Sequence, residues 1–182
     1  RDRVKAALTA RTRAVLAVHL FGRAAELSEL QRLCREANVP LLEDCAQACG
    51  ARRGGKAAGT FGLAGAFSFF PTKNLGALGD GGALITDDRQ LAEKVRSLRD
   101  QGKGPEGKFD SLGGNFRLDS LQAAALNVKL PHLESWLDQR RQAAANYRRM
   151  FARAGLCPAD GQTIQPSHRI LLPPQDGDTE SH

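Results

Sequence analysis

Three side chains pose the chemical question: Asp44, Ser68 and Lys73. Lys73 lies in the stretch AFSFFPTKNLGALGDGG (66–82), after a nearly uncharged aromatic run and before a cluster of glycines. A charge carried into such surroundings is costly unless paired, so burial and a partly neutral amine are expected. A neutral lysine amine is a nucleophile toward carbonyl carbon and forms Schiff bases. Asp44 ends an apolar run, where a carboxylate can hold a proton on a ring nitrogen. Ser68 supplies a hydroxyl for a phosphate. These are the parts that pyridoxal 5'-phosphate (PLP) requires, with Lys73 as its covalent anchor. Each residue alone has a plainer alternative: a cap or ion-pair partner for Asp44, a packed strand residue for Ser68, a surface charge for Lys73.

Other chemistry is less well supported. Gly76, Gly79, Gly81 and Gly82 suggest a nucleotide phosphate loop, but G-x-x-x-x-G-K-[ST] is absent. A strand-like ALIT follows instead of a helix, so a turn closing a hairpin is the better reading. His19 is a second-tier candidate, with a satisfied strand-end histidine as its alternative. Cys34, Cys45, Cys49 and Cys157 form no C-x-x-C pair and have no histidine at ligand spacing, so no metal site is expected. Cys45 and Cys49 read as small residues packed around a strand end.

The elements that must position these groups follow from periodicity. AVLAVHLF (14–21) suits a strand buried on both faces. Glu26–Asn38 carries Leu27, Leu30, Leu33, Cys34 and Ala37 at helical spacing, with Asn38 and Pro40 as its stop. PLLEDCAQ (40–47) is a second apolar run. Strand, helix and strand in this order make a βαβ unit and a parallel sheet, whose ligands collect at the carboxyl strand ends. Further strands are expected at Ala66–Phe70 and Ala83–Thr86, and a helix at Asp87–Arg99. Residues 101–115 form a glycine-rich loop. Asp119–Gln122 resembles a capping box opening a helix to about Lys129. A second helix, about His132–Ala154, places Trp136 in the core rather than on a cofactor. Residues 157–182 hold four of the eight prolines and read as an irregular tail.

Composition narrows the classes. With 41% hydrophobic and 25% charged residues, the 182-residue chain is of folded and not disordered type. The net charge of +6 comes from scattered arginine pairs with acids between them, not an aromatic-interleaved stripe, so no nucleic-acid partner is expected. No apolar run reaches the roughly 18 residues of a membrane span, and the first residues, RDRVKAALTARTR, lack the continuous apolar core of a signal peptide. A cytoplasmic protein with reduced cysteines and no membrane partner is therefore expected. Arg1 in place of an initiating Met suggests a start inside a longer protein.

VHLFG (18–22), LLEDCAQACGA (41–51), FSFFPTKNLGALGDGGAL (67–84) and GNFRLDSLQAAAL (114–126) together resemble the DegT/DnrJ/EryC1/StrS aminotransferases. The resemblance covers roughly residues 10–153. It implies an α/β fold of the aspartate-aminotransferase (PLP type I) class, with a mostly parallel sheet flanked by helices. By residue, it implies that Asp44 pairs with the pyridine nitrogen, Gln47 lies against the ring and its phenolic oxygen, and Ser68 binds the phosphate. Lys73 would carry the cofactor as a Schiff base and shuttle the proton. Asn115 would reach the cofactor phosphate of a second subunit, giving a homodimer with a shared site. The implied reaction moves an amino group from glutamate or glutamine to a nucleotide-linked keto sugar, in antibiotic or polysaccharide biosynthesis. Related sugar dehydratases carry His at the position of Lys73, so the lysine argues for amino transfer over dehydration.

Members of the family are longer at both ends. The resemblance therefore implies residues 1–130 as the central part of the PLP-binding large domain, incomplete at both ends, and 131–156 as a connecting helix toward a small domain. A fragment or a disrupted reading frame would give such a chain, with weak PLP binding and poor turnover expected. Two alternatives stand beside the aminotransferase: a catalytically incomplete dimerising or regulatory remnant, and a PLP-dependent sugar dehydratase.

Overall fold

The computed structural model describes residues 2–156, so Cys157 and the expected irregular tail lie outside the described residues. After a short helix α1 (Asp2–Ala7), the first apolar run is a strand only over Val15–Val18 (β1). The chain then turns sharply through Leu20–Gly22 with Phe21 at φ 55°, a left-handed conformation that is uncommon for a bulky residue. Helix α2 (Leu27–Glu36) follows and ends where Asn38 takes φ 51°, the stop read from the sequence. Strand β2 (Leu41–Asp44) comes next, then a two-residue-stranded hairpin of β3 (Arg52–Arg53) and β4 (Lys56–Ala57).

Strands β5 (Ala64–Ser68) and β6 (Gly82–Ile85) complete a four-stranded sheet of order β1-β2-β5-β6. The first three strands run parallel and β6 pairs antiparallel with β5, so the glycine-rich segment closes a hairpin as expected. Strand β5 begins and ends earlier than the expected Ala66–Phe70. Its ladder stops because Phe69 O and Phe70 O turn back to accept from Ala77 and Lys73 (2.7 and 2.9 Å), and Pro71 has no N–H to continue it.

One face of the sheet carries the core. Ala17 and Leu41 pack with Ala24, Leu27 and Cys34, so α2 covers this side. The start of β5 also comes close to the chain before it: a Cβ on Gly65 would lie 2.4 Å from Gly59 Cα. Beyond the sheet lie α3 (Arg89–Arg99), α4 (Ser120–Lys129) and α5 (Leu133–Arg153). The Asp88 carboxylate accepts from Leu91 N–H and caps α3. Asp119 does stand at the N-cap of α4, but its side chain makes no capping bond, so the expected capping box does not form. Gln122, its other member, is turned toward residues 78–79. Leu137 of α5 is buried, with Cδ1 2.2 Å from where a Cβ on Gly50 would stand. Trp136 is half-buried and stacks on His132. None of the described helices is long and apolar enough to cross a membrane.

Candidate active site

Register brings the carboxyl ends of the parallel strands level. Val18 is opposite Asp44, and Asp44 is opposite Ala66. Side chains alternate across a sheet, so Asp44, Ala66 and Ser68 share one face while Glu43, Gly65 and Phe67 share the other. Asp44 is half-buried, and its Oδ1 accepts from Ala46 N–H at 2.9 Å, a local bond that turns the chain out of β2. Ser68 is half-buried at the end of β5, with Oγ accepting from Phe70 N–H at 3.3 Å.

Lys73 sits in the connection 69–81, its N–H bonded to Phe70 O. It is half-buried and not enclosed as the apolar run suggested, because the neighbouring Phe70, Pro71 and Thr72 are themselves exposed where the chain leaves the sheet end. Gln47 is exposed, and its Oε1 accepts from Phe21 N–H at 3.0 Å, satisfying the left-handed turn after β1. Asn115 lies on a different segment. It is exposed on the loop before α4 and pairs through its backbone with Asp100.

The carboxylate next to Asp44 has a different task. Glu43 is 1% exposed and takes four hydrogen bonds: Gly59 N–H (2.7 Å) and His19 Nε2–H (2.9 Å) on Oε2, Phe61 N–H (2.6 Å) and Gly62 N–H (2.7 Å) on Oε1. Burial pushes its pKa up, but the donors Gly62, His19, Gly59 and Phe61 outweigh that and hold it below the ordinary carboxylate value. Ala25 N–H donates to His19 Nδ1 at 3.1 Å, so the ring proton resides on Nε2 and points at Glu43. His19 is thus the satisfied strand-end histidine. Its ring, the Glu43 carboxylate and the Cys45 thiol place ligand atoms within 4.8 Å of one another. The set does not fit a metal. Both Glu43 oxygens and the His19 ring are committed, and burial, with help from Glu43, Asp44 and Cys49, pushes the Cys45 thiol up to about 12.

The sequence profile of the DegT/DnrJ/EryC1/StrS aminotransferase family matches residues 1–173. The chain belongs to this family. The match extends past the 10–153 over which the quoted motifs carry the resemblance. Among relatives, the "Pleiotropic regulatory protein" of Geobacillus stearothermophilus is 48% identical over 151 residues, covering 83% of this chain and 41% of that protein. The dTDP-3-amino-3,4,6-trideoxy-alpha-D-glucose transaminase of Streptomyces venezuelae is 46% identical over 144 residues, covering 79% and 38%. The crystal structure of S. venezuelae DesV in complex with a ketimine intermediate superposes with a TM-score of 0.78 at 45% identity, covering 82% of this chain and 40% of that one. The chain therefore spans about 40% of the length of these family members.

Against this family background, Glu43 is the residue whose importance sequence reasoning passed over. The available signal was parity. Glu43 alternates with Leu41 on the core side of β2, where a carboxylate must find donors, and His19 stands at the matching parity of β1.

Proposed function

We propose that this chain carries the cofactor-binding centre of a PLP-dependent aminotransferase that moves an amino group from glutamate or glutamine to a nucleotide-linked keto sugar. The observation that carries the reading is one of placement. Asp44 and Ser68 lie on one sheet face at the carboxyl strand ends, and Lys73 lies in the connection that leaves that same end. Crevices there are where α/β sheets bind ligands.

The donor set fits the cofactor. The Asp44 carboxylate, fixed through Oδ1 by Ala46 N–H, would hold a proton on the pyridine nitrogen. Gln47 has its Oε1 taken by Phe21, so what it has left for the ring's phenolic oxygen is its NH2 group, a donor. Ser68 accepts from Phe70 N–H through Oγ and keeps its O–H to donate to phosphate. Lys73 supplies the attachment amine and then takes and returns the proton at the amino-bearing carbon. When bound, PLP supplies an electron sink for the bonds around that carbon. Asn115, exposed on the loop before α4, fits the reading in which it serves the phosphate site of a second subunit in a homodimer. Residues 1–130 would belong to the large domain and 131–156 to the connecting helix, in an enzyme working in the cytoplasm.

Titration of the chain with PLP tests this directly. The expected result is a visible absorption band of lysine-bound cofactor that disappears in Lys73→Ala and shifts when glutamate is added. A band that persists unchanged in Lys73→Ala would remove Lys73 from the site.

A further inference from the structure

Helix α4 grips the connection that carries Lys73. Gln122 Oε1 accepts from Leu78 N–H (2.8 Å) and from Gly79 N–H (3.0 Å). Lys129 Nζ donates to Gly76 O at 2.6 Å. Between them Leu126 is buried in one cluster with Leu75 and Ala77. Gln122, Leu126 and Lys129 stand at i, i+4 and i+7, one stripe of a helix, apolar in the middle and polar at both ends. This stripe matches residues 75–79 group by group. On α5, the Arg140 guanidinium meets Asn74 Oδ1, one residue from Lys73.

On its other side, the connection is anchored in the sheet. Phe69 N–H donates to Gly81 O, and Lys73 N–H and Ala77 N–H return to Phe70 O and Phe69 O. Lys73 therefore stands between a stretch fixed by β5 and a stretch fixed by α4. Its backbone is held from both sides. We infer that Gln122 is a positioning residue for Lys73: by gathering two successive amides on one oxygen, it fixes where the amine is presented to the cofactor. The inference rests on the reading of Lys73 as the attachment point.

The energetics separate positioning from bulk stability. Leu78 is exposed and Gly79 half-buried, so water can replace the Gln122 oxygen when it is lost. A hydrogen bond whose donors fall to water contributes little net stability, whereas the geometric constraint disappears completely.

The test uses the full chain as wild type, Gln122→Met, which keeps the side chain's length without its acceptor, and Gln122→Glu, which keeps an acceptor oxygen. Three quantities are read: amide exchange at Leu78 and Gly79, PLP affinity from the absorption band, and the thermal midpoint. Gln122→Met is expected to speed exchange at those two amides and weaken PLP binding, each about tenfold, with the midpoint within a few degrees of wild type. Gln122→Glu is expected to restore both. PLP affinity of Gln122→Met within about twofold of wild type would overturn the inference. So would weakened binding that accompanies a general loss of protection and is not rescued by glutamate. If Lys73→Ala keeps the absorption band, the reading of the site fails. Exchange at Leu78 and Gly79 then still decides on Gln122, and unchanged exchange in Gln122→Met overturns its part separately.

Discussion

Glu43 and Asp44 are consecutive carboxylates in one strand, yet the sheet gives them opposite work. Glu43 points into the face covered by α2, where four donors saturate it. Asp44 points to the other face, which it shares with Leu16 and Val18, 59% and 50% exposed, and with Leu84, 41% exposed. The covered face spends its polar groups on itself: Glu43 ties β2 to His19 and to the segment 59–62. The open face keeps a carboxylate and a hydroxyl with one local bond each. Committed and available carboxylates thus alternate along a single strand with the period of the pleat.

The comparison is broken most easily at Glu43. In Glu43→Gln the amide keeps one acceptor oxygen and turns an NH2 group toward buried donors. A loss of about 3–5 kcal/mol in urea unfolding is expected, because the donors lose a charged acceptor and those facing the NH2 group are left buried without one. A cost below about 1 kcal/mol would mean that Glu43 is not the tie described.

Gly65→Ala attacks the same covered face by volume. Its Cβ would stand 2.4 Å from Gly59 Cα and 2.5 Å from Gly59 O, both backbone atoms that cannot swing aside. A loss of about 2–3 kcal/mol is expected, whereas Ala66→Val on the open face should stay within about 0.5 kcal/mol. Thermal unfolding of the two variants side by side decides it.

The pH dependence sharpens the contrast. The Glu43 pKa is lowered in the folded state, so its contribution is complete above the unfolded value of about 4.3 and is lost as pH falls through the folded value. Glu43→Gln should flatten the acid limb of the stability profile. Cys45 behaves in the opposite sense. Raised to about 12, its thiol costs nothing below the unfolded value of about 8.5, and stability declines as pH rises above it. Cys45→Ala should flatten the alkaline limb, and an unaltered limb would contradict the burial of this thiol.

Asp44→Asn, also on the open face, is likewise expected to cost little stability. Its amide oxygen still accepts from Ala46 N–H, so the cost should be under about 1 kcal/mol. Its PLP affinity should nonetheless fall well below wild type in the absorption titration. A large loss of stability with intact affinity would reverse the roles given to the two carboxylates.

Much of this arrangement was legible in advance. The βαβ unit, the hairpin after Lys73, the Asn38 stop and the α3 helix follow from periodicity and turn residues, since each is settled within a short segment. The capping box at Asp119–Gln122 misled because its spacing satisfies a local rule, while two adjacent amides forty-odd residues away in sequence compete for the same Gln122 oxygen. His19 was ambiguous for a similar reason. Its partner Glu43 is joined to it only when β1 and β2 pair, and Ala25 only when the chain turns back after β1.

The family is legible in the chain alone, as are the proposed chemical parts, Asp44, Gln47, Ser68 and Lys73 in fixed order, on runs whose hydrophobic pattern makes a parallel sheet. Their tasks were decided only in three dimensions. Pairing register sets which carboxylate of β2 is buried and which faces the open side, and residue type cannot distinguish them. The place of Lys73 depends on α4, distant in sequence, because a glycine-rich connection has too little local preference to hold one shape until another element binds its backbone.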